Sequence, residues 1–382
     1  MGERLVHTKD KKKPMKTISK NIHPAFALII FAFAFAYSAP AQHLFVTTRS
    51  SNTTAVIDTS TNQVVTAILV GDFPVRITTT PNRLKAFVCN GHSASVSVLD
   101  TVALTNIATI QVGQGPGGEA ITPDGARLFV VHQRGQHGLG CPVYVIDTAT
   151  YAVLNIIYLP GNRCNDILFT PNGRSAYIAN QSAGQVDVID TITYRVRRIP
   201  TAAGALRLCI SPAGDRVYVT NNGGASVSAI DTATKQVIAT IPVGQGPMGI
   251  AIRSDGREVY TANSRGNTAS VIDTTTLSVI ATIPTGGVWP SELVTTADGT
   301  KCFVVNTNSD NVSVINTATR NVSAIIPTGH RPFISQISPD QTKLYVSNTG
   351  TTTVTVIDIA SLTVFATVAD VGTQPFDMAF GP

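Results

Sequence analysis

The chain has 382 residues, 28 of them Lys or Arg and 23 Asp or Glu, and its 43% hydrophobic content suffices for a large buried core. The basic excess is confined to the first 41 residues, where Arg4, Lys9, Lys11, Lys12, Lys13, Lys16 and Lys20 face only Glu3 and Asp10, leaving 21 residues of each sign beyond. A remainder so close to neutral argues against nucleic acid or another polyanion as the partner.

Taken in order, the chain begins with basic residues from Arg4 to Lys20, an uncharged apolar run from Ala25 to Tyr37, and Ala39-Pro40-Ala41 ahead of Gln42. These are the three regions of a cleavable secretory signal. Residues 1–41 are therefore expected to be leader and signal, with Met1 or Met15 as the start, and residues 42–382 to form one exported domain, periplasmic or at the cell surface. The apolar run is short for a membrane span, so the mature chain is expected to have none.

From there a phrase close to Val-Ser-Val-Ile-Asp-Thr recurs, ending at Asp58, Asp100, Asp147, Asp190, Asp231, Asp273, Asn316 and Asp358, at intervals of 42, 47, 43, 41, 42, 43 and 42 residues. A fixed period of this size signals one supersecondary unit copied along the chain. Each copy holds four short runs of alternating or β-branched residues, as in Val217–Asn221, Ser226–Asp231, Val237–Ile241 and Met248–Ile252, separated by Gly, Asn and Asp turns. Four antiparallel strands per unit of this length are what a propeller blade requires.

Tyr218-Val219-Thr220-Asn221, Leu344-Tyr345-Val346-Ser347-Asn348, Ala239-Thr240-Ile241-Pro242-Val243-Gly244 and the Thr122-Pro123-Asp124-Gly125 and Ser338-Pro339-Asp340 turns resemble the YVTN β-propeller repeat proteins. That family includes YncE-like periplasmic proteins and surface-layer proteins. The resemblance implies an all-β propeller and says little about activity. Tyr-Val-Thr-Asn-like strands begin at Phe45, Phe87, Phe129, Tyr177, Tyr218, Tyr260, Phe303 and Tyr345. Eight blades are predicted, with seven as the alternative, the terminal strand Pro375–Phe380 entering the first blade to close the ring. The recurring aspartates read as turn fixtures, since Asp accepts bonds from amides two residues on.

In a meander of this kind the Pro-Asp-Gly and Asp-Thr turns share one face, and the Val-Gly-x-x-Pro and Asn-x-Gly loops share the other. The second face varies between copies and surrounds one channel mouth. Alignment of the copies puts Arg76, Gly118, Asp166, Arg207, Gly249, Glu292, Ile334 and Asp377 at one level of the inner strands. Closure then makes Asp377 the neighbour of Arg76, as Asp166 is of Arg207: either solvated ion pairs or a polar constriction for a small ligand. Trp289, the one tryptophan, lies just before Glu292, and the next copy carries His330-Arg331; this group either holds a planar or anionic ligand or plugs the gap between blades.

The longest interval contains an insertion, His132 to Cys141. His132, His137 and Cys141 are candidate metal ligands by type only, because their spacing matches no established site, and no metal is predicted. Cys141 and Cys164 are a candidate disulfide, placed in loops; Cys89, Cys209 and Cys302 read as buried thiols. The chain lacks Cys-x-x-Cys-His, Gly-x-Ser-x-Gly and His-Glu-x-x-His patterns, so no catalytic residue and no cofactor are expected. The expected function is a monomeric, non-catalytic module binding a protein, glycan or small molecule through Arg76, Asp166, Arg207, Trp289, Glu292, His330, Arg331 and Asp377. The alternative is a lactonase-like hydrolase, or a redox protein with a non-covalent cofactor, at the channel mouth.

Overall fold

A computed structural model describes residues 43–135 and 138–382; the expected signal segment and His137 lie outside the described residues. Within them every regular element is a strand, and the strands form eight four-stranded antiparallel sheets. Their inner strands, Pro375–Phe380 for blade 1, then Pro74–Thr79, Pro116–Ile121, Cys164–Phe169, Ala205–Ile210, Pro247–Ile252, Pro290–Thr295 and Pro332–Ile337 for blades 2 to 8, pack side by side in a closed circle. The terminal strand pairs with His43–Thr48, so blade 1 takes three strands from the N-terminal end and one from the C-terminal end. Eight blades with this closure are as expected, and the circle leaves no open edge between its ends.

Burial explains why one sequence pattern serves each strand position. The Tyr-Val-Thr-Asn strands are covered on both faces, whereas the outermost strands alternate exposed and partly buried residues. The leading aromatic of that motif, Phe45, Phe87, Phe129, Tyr177, Tyr218, Tyr260, Phe303 or Tyr345, is fully buried in every blade. Each contributes roughly 1.5–3 kcal/mol of apolar burial. The hydrophobic clusters lie between blades: Phe303 and Val305 of blade 7 pack with Leu344 and Val346 of blade 8.

The turns repeat as well. Asp100 accepts amide bonds from Val102 and Ala103, Asp190 from Ile192 and Thr193, and Asp273 from Thr275 and Thr276. The threonine that follows donates to the glycine carbonyl of the same blade's other turn, as Thr148 to Gly125, Thr191 to Gly173 and Thr232 to Gly214, at 2.6–2.8 Å. These bonds put both turn types on one face. A cation then joins neighbouring blades there: Lys85 Nζ donates to the Thr148 carbonyl, Arg127 to Thr191 and Lys343 to Thr59. Blade 6 inverts the polarity, with buried Glu258 accepting from Arg320 of blade 7 at 2.7 Å.

Candidate functional site

On the opposite face, each inner strand is preceded by Gln374, Phe73, Gly115, Arg163, Gly204, Gly246, Trp289 or Arg331. The carbonyl of that residue accepts an amide bond of 2.9–3.2 Å from the residue after the Tyr-Val-Thr-Asn strand in all eight blades. The lock holds a left-handed backbone at Gly115, Gly204 and Gly246, where glycine adopts it freely. It holds the same conformation at Phe73 (φ 56°), Trp289 (φ 61°), Arg331 (φ 54°) and Gln374 (φ 58°). For residues with a Cβ this costs about 1–2 kcal/mol each. These four positions belong to blades 7, 8, 1 and 2, which are consecutive around the circle, so at this position of the blade the left-handed residues other than glycine fall on one half of the circle.

That half contains a cavity of about 390 Å³ walled by Trp289, Phe333, Phe376, Arg49 and Arg331, with Thr307, Asn308, Thr349 and Gln374 around its edge. The Phe333 and Phe376 rings stack with centroids 5.1 Å apart. The Arg49 guanidinium carbon lies 3.2 Å from the Phe376 centroid and 5.1 Å from that of Phe73, which stacks in turn on His92. Burial, reinforced by the Arg76 charge, lowers Arg49 to about 10. Arg49 makes no ion pair among the described residues, and its Nε–H is buried without a partner.

Phe376 is followed in the chain by Asp377, so the cavity adjoins the charged level inside the channel. There Arg76, Asp166, Arg207, Glu292 and Asp377 surround a second cavity of about 150 Å³. Arg76 Nη1 is 3.5 Å from Asp377, and Arg207 Nη1 is 3.8 Å from Asp166. Each aspartate also accepts an amide bond from the next blade, Asp377 from Ile77 at 3.2 Å and Asp166 from Leu208 at 2.9 Å. The two ion pairs are thus equivalent units built twice around the circle. Burial pushes the Glu292 carboxyl up, against the pull of Arg207 and Arg76. Burial opposes the Arg76 charge, but Asp377, Asp166 and Glu292 raise its pKa overall.

One position further along the inner strands, the copies carry Ile77, Ile167, Leu208, Ile250, Leu293, Ser335 and Met378, all buried between blades. Blade 3 carries Glu119. Its Oε2 accepts from Cys89 Sγ at 3.0 Å, while its Oε1 is buried without a partner. Burial drives this carboxyl up to about 8. Sequence reasoning missed Glu119 because it examined only the level occupied by Gly118; the signal, a lone acid in an otherwise apolar or uncharged column, lies one residue away.

The expected group therefore divides. Arg76, Asp166, Arg207, Glu292 and Asp377 meet in the channel, and Trp289 and Arg331 meet at the rim. His330 joins neither: it is exposed and its Nδ1 faces Asp310 at 3.1 Å. The rim also uses Arg49, Phe333 and Phe376, which no motif marked.

The insertion needs correction. His132 is fully buried at the Asn position of its motif, with Nδ1 2.9 Å from the Pro142 carbonyl and Nε2 2.7 Å from that of Val112. Both ring nitrogens face backbone carbonyls, so neither points to an open position that a metal could occupy. Cys141 Sγ donates to the His132 carbonyl at 2.9 Å. Cys141 and Cys164 begin strands rather than sit in loops, and they are buried thiols in hydrogen-bond contact across the interface of blades 3 and 4.

A family model described as Lactonase, 7-bladed beta-propeller, matches residues 166–325, and one described as YNCE-like beta-propeller matches residues 284–382. The chain is a β-propeller, and over residues 166–382 it is similar to lactonase-type and YncE-like propellers. With eight blades, this propeller exceeds the seven in the lactonase description. It is 27% identical over 154 residues to the uncharacterized protein YwhL of Bacillus subtilis, and the match spans 32% of that relative's length. Among solved structures it resembles the dihydro-heme d1 dehydrogenase NirN, with a TM-score of 0.77 at 15% identity over 90% of this chain and 76% of that one. It also resembles Kuenenia stuttgartiensis hydrazine synthase, with a TM-score of 0.61 at 22% identity over 75% of this chain and 96% of that one. A functionally unknown protein from Desulfotomaculum acetoxidans gives 0.60 at 17% identity over 89% of this chain and 99% of that one. At these identities the likeness to solved structures is one of fold.

Proposed function

We propose that this propeller is an exported, non-catalytic module that binds a small ligand on the rim of its loop-bearing face, beside the charged channel mouth. The observation that carries the reading is the meeting of left-handed Trp289, Arg331 and Gln374, from three consecutive blades, around one cavity. Backbone strain of this kind persists where the surrounding structure enforces it, and it concentrates at sites of function. The cavity is also in the size range of small-molecule sites, with three aromatic walls among polar and cationic side chains.

A thermal-shift screen of lactones, sugars, peptides and small organic acids on the purified chain tests the reading, with Trp289 fluorescence as a second signal. Binding at the rim predicts a ligand that moves both signals in the native chain and neither in the Arg331→Ala variant. Thermal shifts that survive Arg331→Ala and Trp289→Phe unchanged would remove the rim as the site.

A hydrolase at the channel mouth is the second reading, favoured by the lactonase match over residues 166–325 and by the Glu119 carboxyl, which burial raises to about 8 and which feels the Arg76 charge. A carboxyl in that range can act as a general acid near neutral pH. Lactone hydrolysis abolished by Glu119→Gln, with ligand binding at the rim unaffected, is what this reading requires.

A further inference from the structure

We infer that the rim cavity takes a planar aromatic carboxylate, its ring against the Phe333, Phe376 and Trp289 walls and its carboxylate on Arg49, with Arg331 as the second cation. The inference rests on the preceding reading of the rim as a binding site and adds the chemistry of the ligand.

Charge sets the first requirement. The cavity wall holds two guanidiniums and no carboxylate, and among the described residues neither Arg49 nor Arg331 forms an ion pair. The nearest acid with a marked influence on Arg49 is Asp377, which is already engaged by Arg76 and by the Ile77 amide. An anion is therefore the complement of this wall.

The stacking of Arg49 sets the second. Phe376 lies over its guanidinium at 3.2 Å, and Phe73 lies within 5.1 Å. Arg49 lines the cavity beside these rings, and the N–H fork of a guanidinium matches the two oxygens of a carboxylate.

The walls set the third. Phe333 and Phe376 are stacked 25° from parallel, and Trp289 projects 37% exposed on the other side of the same cavity. Flat apolar walls favour a flat apolar body, and about 390 Å³ accommodates a bicyclic ring. Inorganic phosphate would satisfy the cations and leave the half-exposed Trp289 and Phe333 rings uncovered.

The test uses the full chain and 2-naphthoate as the probe, followed by calorimetry and by quenching of Trp289, the sole tryptophan. Naphthalene-2-methanol removes the charge, cyclohexanecarboxylate removes the planarity, and inorganic phosphate removes the ring. The expected result is that 2-naphthoate binds about tenfold or more tightly than each of the three, and that Arg49→Met weakens it by about tenfold or more. Arg331→Met should weaken it also, and Asp298→Asn, in a turn on the opposite face, should leave it unchanged. Absence of 2-naphthoate binding, equal affinity for any of the three comparison compounds, or an unaltered Arg49→Met variant each overturns the inference. If Arg49→Met does not fold, Arg331→Met decides alone. Should 2-naphthoate fail while another ligand loses its response in Arg331→Ala, the ligand class falls and the binding rim stands.

Discussion

Replacing Glu119 with Leu is expected to stabilise the protein, and to do so more at neutral pH than in mild acid. Leucine already occupies this level of the inner strand at Leu208 and Leu293, both buried between blades. The native carboxyl is driven by burial from 4.5 to about 8. Because the folded pKa lies above the unfolded one, the folded chain holds a proton that the unfolded chain releases between these values. Stability must then fall as pH rises through that window, at most about 1.4 kcal/mol per pH unit. Between roughly pH 5 and pH 7.5 the native protein should lose about 3 kcal/mol relative to Glu119→Leu. Removing the unpartnered Oε1 adds about 1–3 kcal/mol to the variant's advantage at any pH. Urea unfolding of both proteins across this range measures the difference directly. Parallel pH profiles, or a variant less stable throughout, would refute the placement of an ionisable group in an apolar seam.

Glu258 should behave in the opposite sense. Burial works against its charge, but bonds from Arg320, Tyr260 and Arg253 hold its carboxyl below the usual value. Glu258→Ala is expected to cost about 2 kcal/mol near neutrality. That cost should shrink as pH falls from the ordinary glutamate value through the lower folded one, and a pH series of unfolding curves checks it. Tyr345→Phe should be neutral or stabilise by up to about 1 kcal/mol, because the buried hydroxyl lacks a partner and four blades carry Phe there. Arg331→Gly should relieve a left-handed backbone and raise the urea midpoint by an amount corresponding to at most about 1 kcal/mol, while abolishing ligand responses at the rim. Under oxidising conditions Cys141 and Cys164 are expected to join in a non-reduced peptide map, stabilising the chain by roughly 3 kcal/mol; Cys89, Cys209 and Cys302 should react only after unfolding.

Much of the propeller was legible in the chain because a repeat averages out local ambiguity. No single run such as Val217–Asn221 distinguishes a strand in a blade from one in a sandwich, but eight copies at one spacing do. The same spacing acts as a ruler, and it placed Arg76 beside Asp377 and Asp166 beside Arg207, as the ion pairs bear out. It failed where a residue departs from its copies in conformation or partner. Nothing in the sequence shows that both ring nitrogens of His132 face carbonyls, because that depends on where the next strand of its blade and the end of the preceding blade's outer strand carry their backbone.

Sequence alone determined the blade, the turn chemistry and the charged level of the channel, and favoured eight blades over seven, since each follows from periodic spacing and from bonds made within one unit or with the next. Only the closed circle decided the rim. Arg49 meets Phe376 across more than three hundred residues, and both meet Trp289 and Arg331 from the two preceding blades. Closing the circle through the terminal strand is what brings these side chains to one cavity.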